Sequence, residues 1–352
     1  MEMLLLYITN GREAKRGLEH ARGQVATAIG AETKEIYFTA CGSESDNLAL
    51  KGVAYANRQK GNHIITTKIE HPAILQTCQT LEKQGYEVTY LNVDEQGMIS
   101  LQELEKAIKP TTILISVMFA NNEIGTTQPI EGIGKIAKKH GILFHTDSVQ
   151  AVGNVAIDVQ KLQIDLLSMS AHKFYGPKGV GALYVREGVA FDRIQDGGHQ
   201  EKNKRAGTEN VAGIVGLGKA IELATQNLIP YCQKLEELKK QYIRQIKEKL
   251  PEAKLNGHPE KRLPGNVNFS FPHIDGQELL LALDRRGICA STGSACSSGS
   301  LNPSHVLLAI GLPREYAEGA LRVSIGEENT KEDITFLVDS LVEIITQMKK
   351  LN

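Results

Sequence analysis

Residues 166–185 read LLSMSAHKFYGPKGVGALYV. The apolar run Leu166–Met169 stops at Ser170-Ala171-His172-Lys173, and beyond a Gly- and Pro-punctuated stretch a second run, Val180–Val185, begins. Short apolar runs bounded by turn residues read as buried strands. The same pattern recurs upstream at Ile36–Thr39, Ile64–Lys68, Glu87–Leu91, Ile113–Phe119 and Leu143–Thr146. Amphipathic segments separate many of these runs: Glu44–Gln59, Ala73–Gln84, Leu101–Ile108 and Ile133–His140. Such alternation predicts parallel βαβ units with helices on both faces, an α/β fold. Ligands of these sheets bind beyond the carboxyl ends of the strands.

The texture changes after about Asn210. Helical patterns cover Val211–Thr225, Tyr231–Leu250, Gly276–Arg286 and Lys331–Lys350, with strands expected at Asn266–Phe271, Ile288–Ser291 and Leu321–Ile325. The expectation is a large, mainly parallel-sheet domain over 1–227 and a smaller α+β domain over 228–352. At roughly 150 residues per domain, the chain's 352 residues suit two domains or one large α/β domain. Hydrophobic residues at 41% exclude general disorder. With 40 Lys+Arg against 41 Asp+Glu, no excess of positive charge exists to bind nucleic acid or an anionic membrane. Five cysteines without a CxxC pair form neither a disulfide framework nor a zinc site. The early run Leu4–Ile8 is too short for a signal core or a membrane span, so the chain is read as cytoplasmic.

Five predicted strand ends carry the chemistry. They present Gly42-Ser43-Glu44, Glu70-His71-Pro72, Asn121-Asn122-Glu123, Asp147 with Gln150, and Ser170-Ala171-His172-Lys173. Gly42-Ser43 at a helix N-terminus offers N–H groups, a hydroxyl and a positive dipole end to a phosphate. Asp147 suits a protonated ring nitrogen, and Lys173 can form an imine with an aldehyde. Together they match what pyridoxal phosphate demands. His71 can stack on the ring and move protons. Singly, each is an ordinary residue: strand-end Asp and His are usual in turns, Gly-Ser commonly only caps a helix, and a lone Lys is usually a solvated charge. A dinucleotide site is the rival for the phosphate role, but no GxGxxG follows a strand.

The segment 170–179 resembles the cofactor-lysine segment of class V pyridoxal-phosphate enzymes of the aspartate-aminotransferase fold, in detail the NifS/IscS-type cysteine desulfurases. Supporting segments are 38–47, 70–73, 121–125, 145–150, 205–210 (Arg-Ala-Gly-Thr-Glu-Asn), 294–299 (Ser-Ala-Cys-Ser-Ser-Gly) and 321–324. The resemblance implies pyridoxal 5'-phosphate bound covalently to Lys173, with Asp147 on the pyridine nitrogen, His71 stacked on the ring and Gln150 on the ring hydroxyl. It implies a phosphate site of Gly42, Ser43, Ser170 and His172, with Thr208 reaching across from a second subunit of a homodimer. Asn122 and Arg322 would bind the carboxylate of L-cysteine, Arg322 as a bidentate fork. Position 43 is more often Thr in the family; Ser keeps the hydroxyl.

Cys296 lies in 290–303, where Ser, Thr, Gly and Ala dominate, the composition of a surface loop. Cys289, beside Ile288, reads instead as a packed structural thiol, and Cys41, Cys78 and Cys232 as packing or surface thiols. The resemblance implies Cys296 as the nucleophile that takes the substrate sulfur as a persulfide. It would pass that sulfur to an iron–sulfur scaffold or another acceptor, and Cys296 is further a candidate shared iron–sulfur ligand. Other expectations in the same fold are selenocysteine lysis or another class V activity. Family members ordinarily start with a Leu-Asp-Asn-Ala-Ala-Thr strand and an Asn-Pro-Ser segment before the helix that matches Gly11-Arg12-Glu13-Ala14. Here Met1–Asn10 stand in their place. The readings of that start are a truncated gene model, a natural short variant, and an inactive homologue acting only as a binding subunit.

Overall fold

The structure, a computed structural model, describes residues 9–292 and 303–351. Strands β1 (Ile36–Thr39), β2 (His63–Thr67), β3 (Glu87–Leu91), β4 (Thr112–Ser116), β5 (Leu143–Asp147), β6 (Leu166–Ser170) and β7 (Gly181–Val185) form one sheet. Their spatial order is β1-β7-β6-β5-β4-β2-β3. Parallel pairing runs from β6 through β5, β4 and β2 to β3, whereas β7 is antiparallel to both β6 and β1. The sheet is mainly parallel, as expected, and the strand at Val180–Val185 is its antiparallel member. Only residues 171–180 join β6 to β7, and a parallel return needs a crossover of a dozen or more. Because β7 reverses once on each side, β1 regains the direction of β6. The carboxyl ends of β1, β2, β4, β5 and β6 therefore share one rim.

Helices α1 (Thr9–Ile29), α2 (Gly42–Ala56), α3 (Pro72–Lys83), α4 (Leu101–Ala107), α5 (Ile130–His140), the short turn α6 (Gln200–Asn203) and α7 (Val211–Gln226) accompany this sheet. Leu48, Leu50 and Val53 of α2 pack with Ile64, Leu114, Leu166 and Leu183 from the strands in one buried cluster. Each such side chain contributes about 1.5–3 kcal/mol through removal from water. Helix α1 contains the helix that the resemblance implied at residues 11–14, although hydrophobic patterning did not mark its extent. Its buried stripe of Gly11, Ala14, Leu18, Ala21, Val25 and Ile29 is built largely of small residues, a weak hydrophobic signal. Those small residues let α7 approach closely: a Cβ on Gly218 would stand 2.7 Å from the Ala21 backbone.

The second unit comprises Asn92–Ser100, Ala120–Gln128 and Ile229–Asn352. It contains the remainder of α8 (Leu228–Lys249), then β8 (Lys254–Asn256), β9 (Asn266–Ser270), α9 (Gly276–Asp284), α10 (His305–Ala309), α11 (Arg314–Ala317), β10 (Ala320–Ser324) and α12 (Lys331–Leu351). Its three strands are antiparallel in the order β10-β9-β8. Tyr242 meets Phe269 edge-on at 5.8 Å amid Leu235, Leu321, Val338 and Leu341. Helix α8 starts before Pro230 because proline is tolerated in a first turn, where its missing N–H has no partner to lose. The expected strand at Ile288–Ser291 does not form. Only Ser291 pairs, in an isolated bridge with Arg322.

Candidate active site

Strand β5 ends at Asp147, which is 6% exposed. Its Oδ1 accepts the Val149 N–H at 2.9 Å, and its carbonyl accepts the Phe119 N–H at 2.9 Å. The second bond continues the β4–β5 ladder past the last residue of β4, so Asp147 is fixed on both sides. Burial pushes the Asp147 carboxyl above its ordinary range, while the Val149 N–H, His71 and Lys173 pull it down. A carboxylate so placed calls for an N–H partner.

His71 is the N-cap of α3, with Pro72 at the first helical position. Its Nδ1 accepts the Ala73 N–H at 3.1 Å, which places the proton of the neutral ring on Nε2. One ligand atom each from His71, Asp147 and Asp46 lie within 4.8 Å of one another. Two of the predicted residues thus meet, together with a third.

Lys173 occupies a 3-10 turn, Ala171–Phe174, directly after β6. Ser170 pairs with Gly181, and the Ala171 N–H bonds the Val180 carbonyl at 3.1 Å, so the segment is closed at its root. Tyr175 ends the turn in the left-handed region at φ +64. The Ser170 hydroxyl and His172 Nδ1 are 3.0 Å apart. Burial and the positive charges of Lys173 and Lys178 hold the His172 ring below its ordinary pKa.

Gly42 opens the 15-residue helix α2. A Cβ there would stand 2.5 Å from Val149 Cγ2 and 3.5 Å from Ser170 Cβ, so glycine lets the helix N-terminus lie against the ends of β5 and β6. Ser43 beside it is exposed, and Gln150 is half-buried. Thr208 is exposed in a segment tied to α2 by the Arg205–Glu44 ion pair at 2.7 Å. Helix N–H groups and hydroxyls for a phosphate, a buried carboxylate for a ring nitrogen and an exposed amine for an aldehyde constitute a donor set that fits pyridoxal phosphate.

In the second unit, Arg322 Nη1 donates to the Asn122 carbonyl at 3.2 Å. Arg322 exchanges both backbone hydrogen bonds with Ser291. Next to Asn122, buried Glu123 accepts the Ser304 hydroxyl at 2.5 Å. Burial raises the Glu123 carboxyl, and Ser304, His305 and Arg322 lower it. Cys296 lies outside the described residues. Of the other thiols, Cys78 is buried and pushed up to about 12, so it is inert at neutral pH. Cys289, expected to be packed, is exposed: residues 288–290 lie outside any strand or helix that would fold the thiol inward.

Sequence reasoning assigned no role to Asp46, Glu70 or His145, although all three are fully or nearly fully buried beside this site. A lone acid within the buried stretch of α2 was the available signal.

Residues 7–337 match the Aminotransferase class-V family. The chain belongs to this family. It is 58% identical over 342 residues to the cysteine desulfurase IscS of Clostridium botulinum, covering 97% of this chain and 86% of the relative. The solved structure of a NifS-like protein superposes with a TM-score of 0.90 at 38% identity, covering 97% of this chain and 90% of that one. A structure of SspA in complex with cysteine gives a TM-score of 0.78 at 39% identity, covering 91% and 90%. Within the class-V family the chain is a pyridoxal-phosphate-dependent cysteine desulfurase of the NifS/IscS type, with the α/β transferase fold. Among the described residues, no helix of this class-V chain is long and apolar enough to cross a membrane.

Proposed function

We propose that this desulfurase converts L-cysteine to L-alanine through the residues gathered at the strand ends, with Cys296 receiving the sulfur. The observation that carries the assignment is the convergence of Asp147, His71 and Lys173 on one sheet rim, with Lys173 and His71 both acting on the Asp147 charge. Lys173 holds the cofactor aldehyde, and Asp147 accepts the ring N–H. Gln150 bonds the ring hydroxyl. Gly42, Ser43, Ser170 and His172 hold the phosphate, joined by Thr208 of a second copy. When bound, pyridoxal phosphate supplies the electron sink that lets the substrate Cα–H bond break.

His71 offers its Nε2–H to the bound ligand, because Nδ1 is occupied in capping α3. Arg322 and Asn122 take the substrate carboxylate, and the charge-assisted fork sets the orientation of the carbon that loses its proton. The Cys296 thiolate attacks the substrate sulfur. A sulfur–sulfur bond forms as the carbon–sulfur bond breaks, and the carbon takes up a proton. The products are L-alanine and a Cys296 persulfide, whose outer sulfur passes to a thiol or iron–sulfur acceptor.

A homodimer suits the exposed apolar side chains Tyr175, Val215 and Leu223, which a second copy would cover. Replacing Cys296 by Ala tests the assignment: alanine release should cease while the visible absorbance of the lysine-bound cofactor persists. Continued desulfuration by that variant would exclude Cys296 as nucleophile.

A further inference from the structure

Helix α2 buries Leu48, Ala49, Leu50, Val53 and Ala54, and a single acid, Asp46, is buried with them at 1% exposure. Asp46 Oδ1 accepts no hydrogen bond. His145 Nε2 lies 3.8 Å from it, and a carboxylate oxygen of Asp46 falls within 4.8 Å of both an Asp147 oxygen and a His71 ring nitrogen. Glu70, also fully buried, accepts the Thr67 hydroxyl at 2.7 Å and the Met118 N–H at 3.0 Å.

Three carboxyl groups therefore share one water-poor region. His145 does not balance them. Its two ring nitrogens are paired with Ser116 Oγ and Ser168 Oγ, each at 2.9 Å, and burial drives its pKa to about 3, so the ring is neutral. Lys173 acts on Asp147 as a cation, and His71 does so when protonated. Burial raises the Asp46 carboxyl most, Asp147, Glu70 and Cys41 add to this when ionised, and a hydrogen bond from Ser168 lowers it. An uncompensated buried charge costs several kcal/mol, and two adjacent carboxylates without a cation share a proton instead.

We infer that Asp46 is a neutral carboxylic acid, a positioning residue beside Asp147 that leaves Asp147 as the ionised carboxylate of the cluster. Its contribution is the absence of a second negative charge. With Asp46 uncharged, Asp147 stays ionised against the ring N–H; with Asp46 ionised, repulsion would drive a proton onto Asp147 and remove the acceptor. The consequence for the ring rests on the cofactor reading, whereas the protonation state of Asp46 does not.

Infrared spectroscopy of the cofactor-free chain at neutral pH separates the two. Asp46→Asn should remove one component of the protonated-carboxyl carbonyl band, and Glu70→Gln a different one. In the loaded protein, Asp46→Asn should hold cofactor affinity within about threefold and leave the neutral-pH absorbance profile in place, because an amide replaces an uncharged acid of the same shape. A protonated-carboxyl band that D46N leaves intact would overturn the inference, as would a large shift of the absorbance midpoint. Should D46N fail to fold, carboxyl-carbon NMR with labelled aspartate decides, taken on the unmodified chain and on Asp46→Glu. A neutral-acid aspartate signal present in the first and absent from the second supports the inference; no such signal, or one that survives Asp46→Glu, overturns it. Loss of cofactor binding with the infrared result intact would count against the cofactor reading alone.

Discussion

The Arg22 guanidinium grips the Glu201 carboxylate through two hydrogen bonds of 2.9 Å, joining residues 179 apart in the chain. Both side chains are buried. Glu201 also accepts the Phe38 N–H at 2.8 Å, and Arg22 also donates to the Ile36 carbonyl at 2.8 Å. The pair thus fastens β1 and α1 to a turn in which Glu201, Lys202 and Asn203 all have positive φ, at 41, 58 and 65. That turn leads into the segment carrying Thr208.

Removing one partner leaves the other as a buried unpaired charge. Arg22→Ala or Glu201→Ala should each cost about 3–5 kcal/mol of stability, read by chemical denaturation. A loss below one kcal/mol would show that the turn holds without the pair.

Glu70 predicts a pH dependence. Burial pushes its carboxyl up to about 8, above the ordinary value of 4.5. The folded state therefore binds a proton that the unfolded state has released between those values. This contribution to stability is full below pH 4.5 and is lost as pH rises through about 8, at up to about 1.4 kcal/mol per pH unit. Glu70→Gln should flatten that decline in unfolding curves taken across the interval. An unchanged slope would place the dependence on other groups.

Gly42→Ala inserts a Cβ 2.5 Å from Val149 Cγ2, and Val149 donates the N–H that steadies Asp147. Overpacking of this kind costs about 1–3 kcal/mol. Roughly tenfold weaker uptake of pyridoxal phosphate is expected in an absorbance titration, with the far-ultraviolet circular dichroism spectrum preserved. Undiminished uptake would mean that the α2 N-terminus is not part of the phosphate seat.

Arg322→Lys exchanges a planar two-pronged donor for a point charge. Loss of about 2 kcal/mol of carboxylate recognition corresponds to a roughly thirtyfold rise in KM for L-cysteine, with the cofactor absorbance untouched. An unaltered KM would remove Arg322 from substrate binding.

The strands were legible because each is a short apolar run ending in Gly, Pro or a polar cluster, and their registry with Asp147, His71 and Lys173 followed from strand ends alone. The reversal of β7 required the length of 171–180 to be weighed against the span of a crossover, a comparison that apolar patterning does not make. Helix α1 was marked only by the resemblance at residues 11–14 and not by patterning, because Gly11, Ala14 and Ala21 bury little apolar surface each. The charged interior around Asp46, Glu70 and His145 was invisible for a different reason: hydrophobic periodicity treats a buried acid as a surface residue, and only tertiary packing shows otherwise. The Arg22–Glu201 pair joins distant positions with no local pattern between them.

The hairpin that carries Lys173 has a consequence for how the amine is placed. Its ends, Ser170 and Gly181, are backbone-paired, and its 3-10 turn spans Ala171–Phe174. The amine is thus stationed by contacts local in sequence, all within a dozen residues. Its position should therefore answer to substitutions that break the Ser170–Gly181 pairing more than to changes in distant elements.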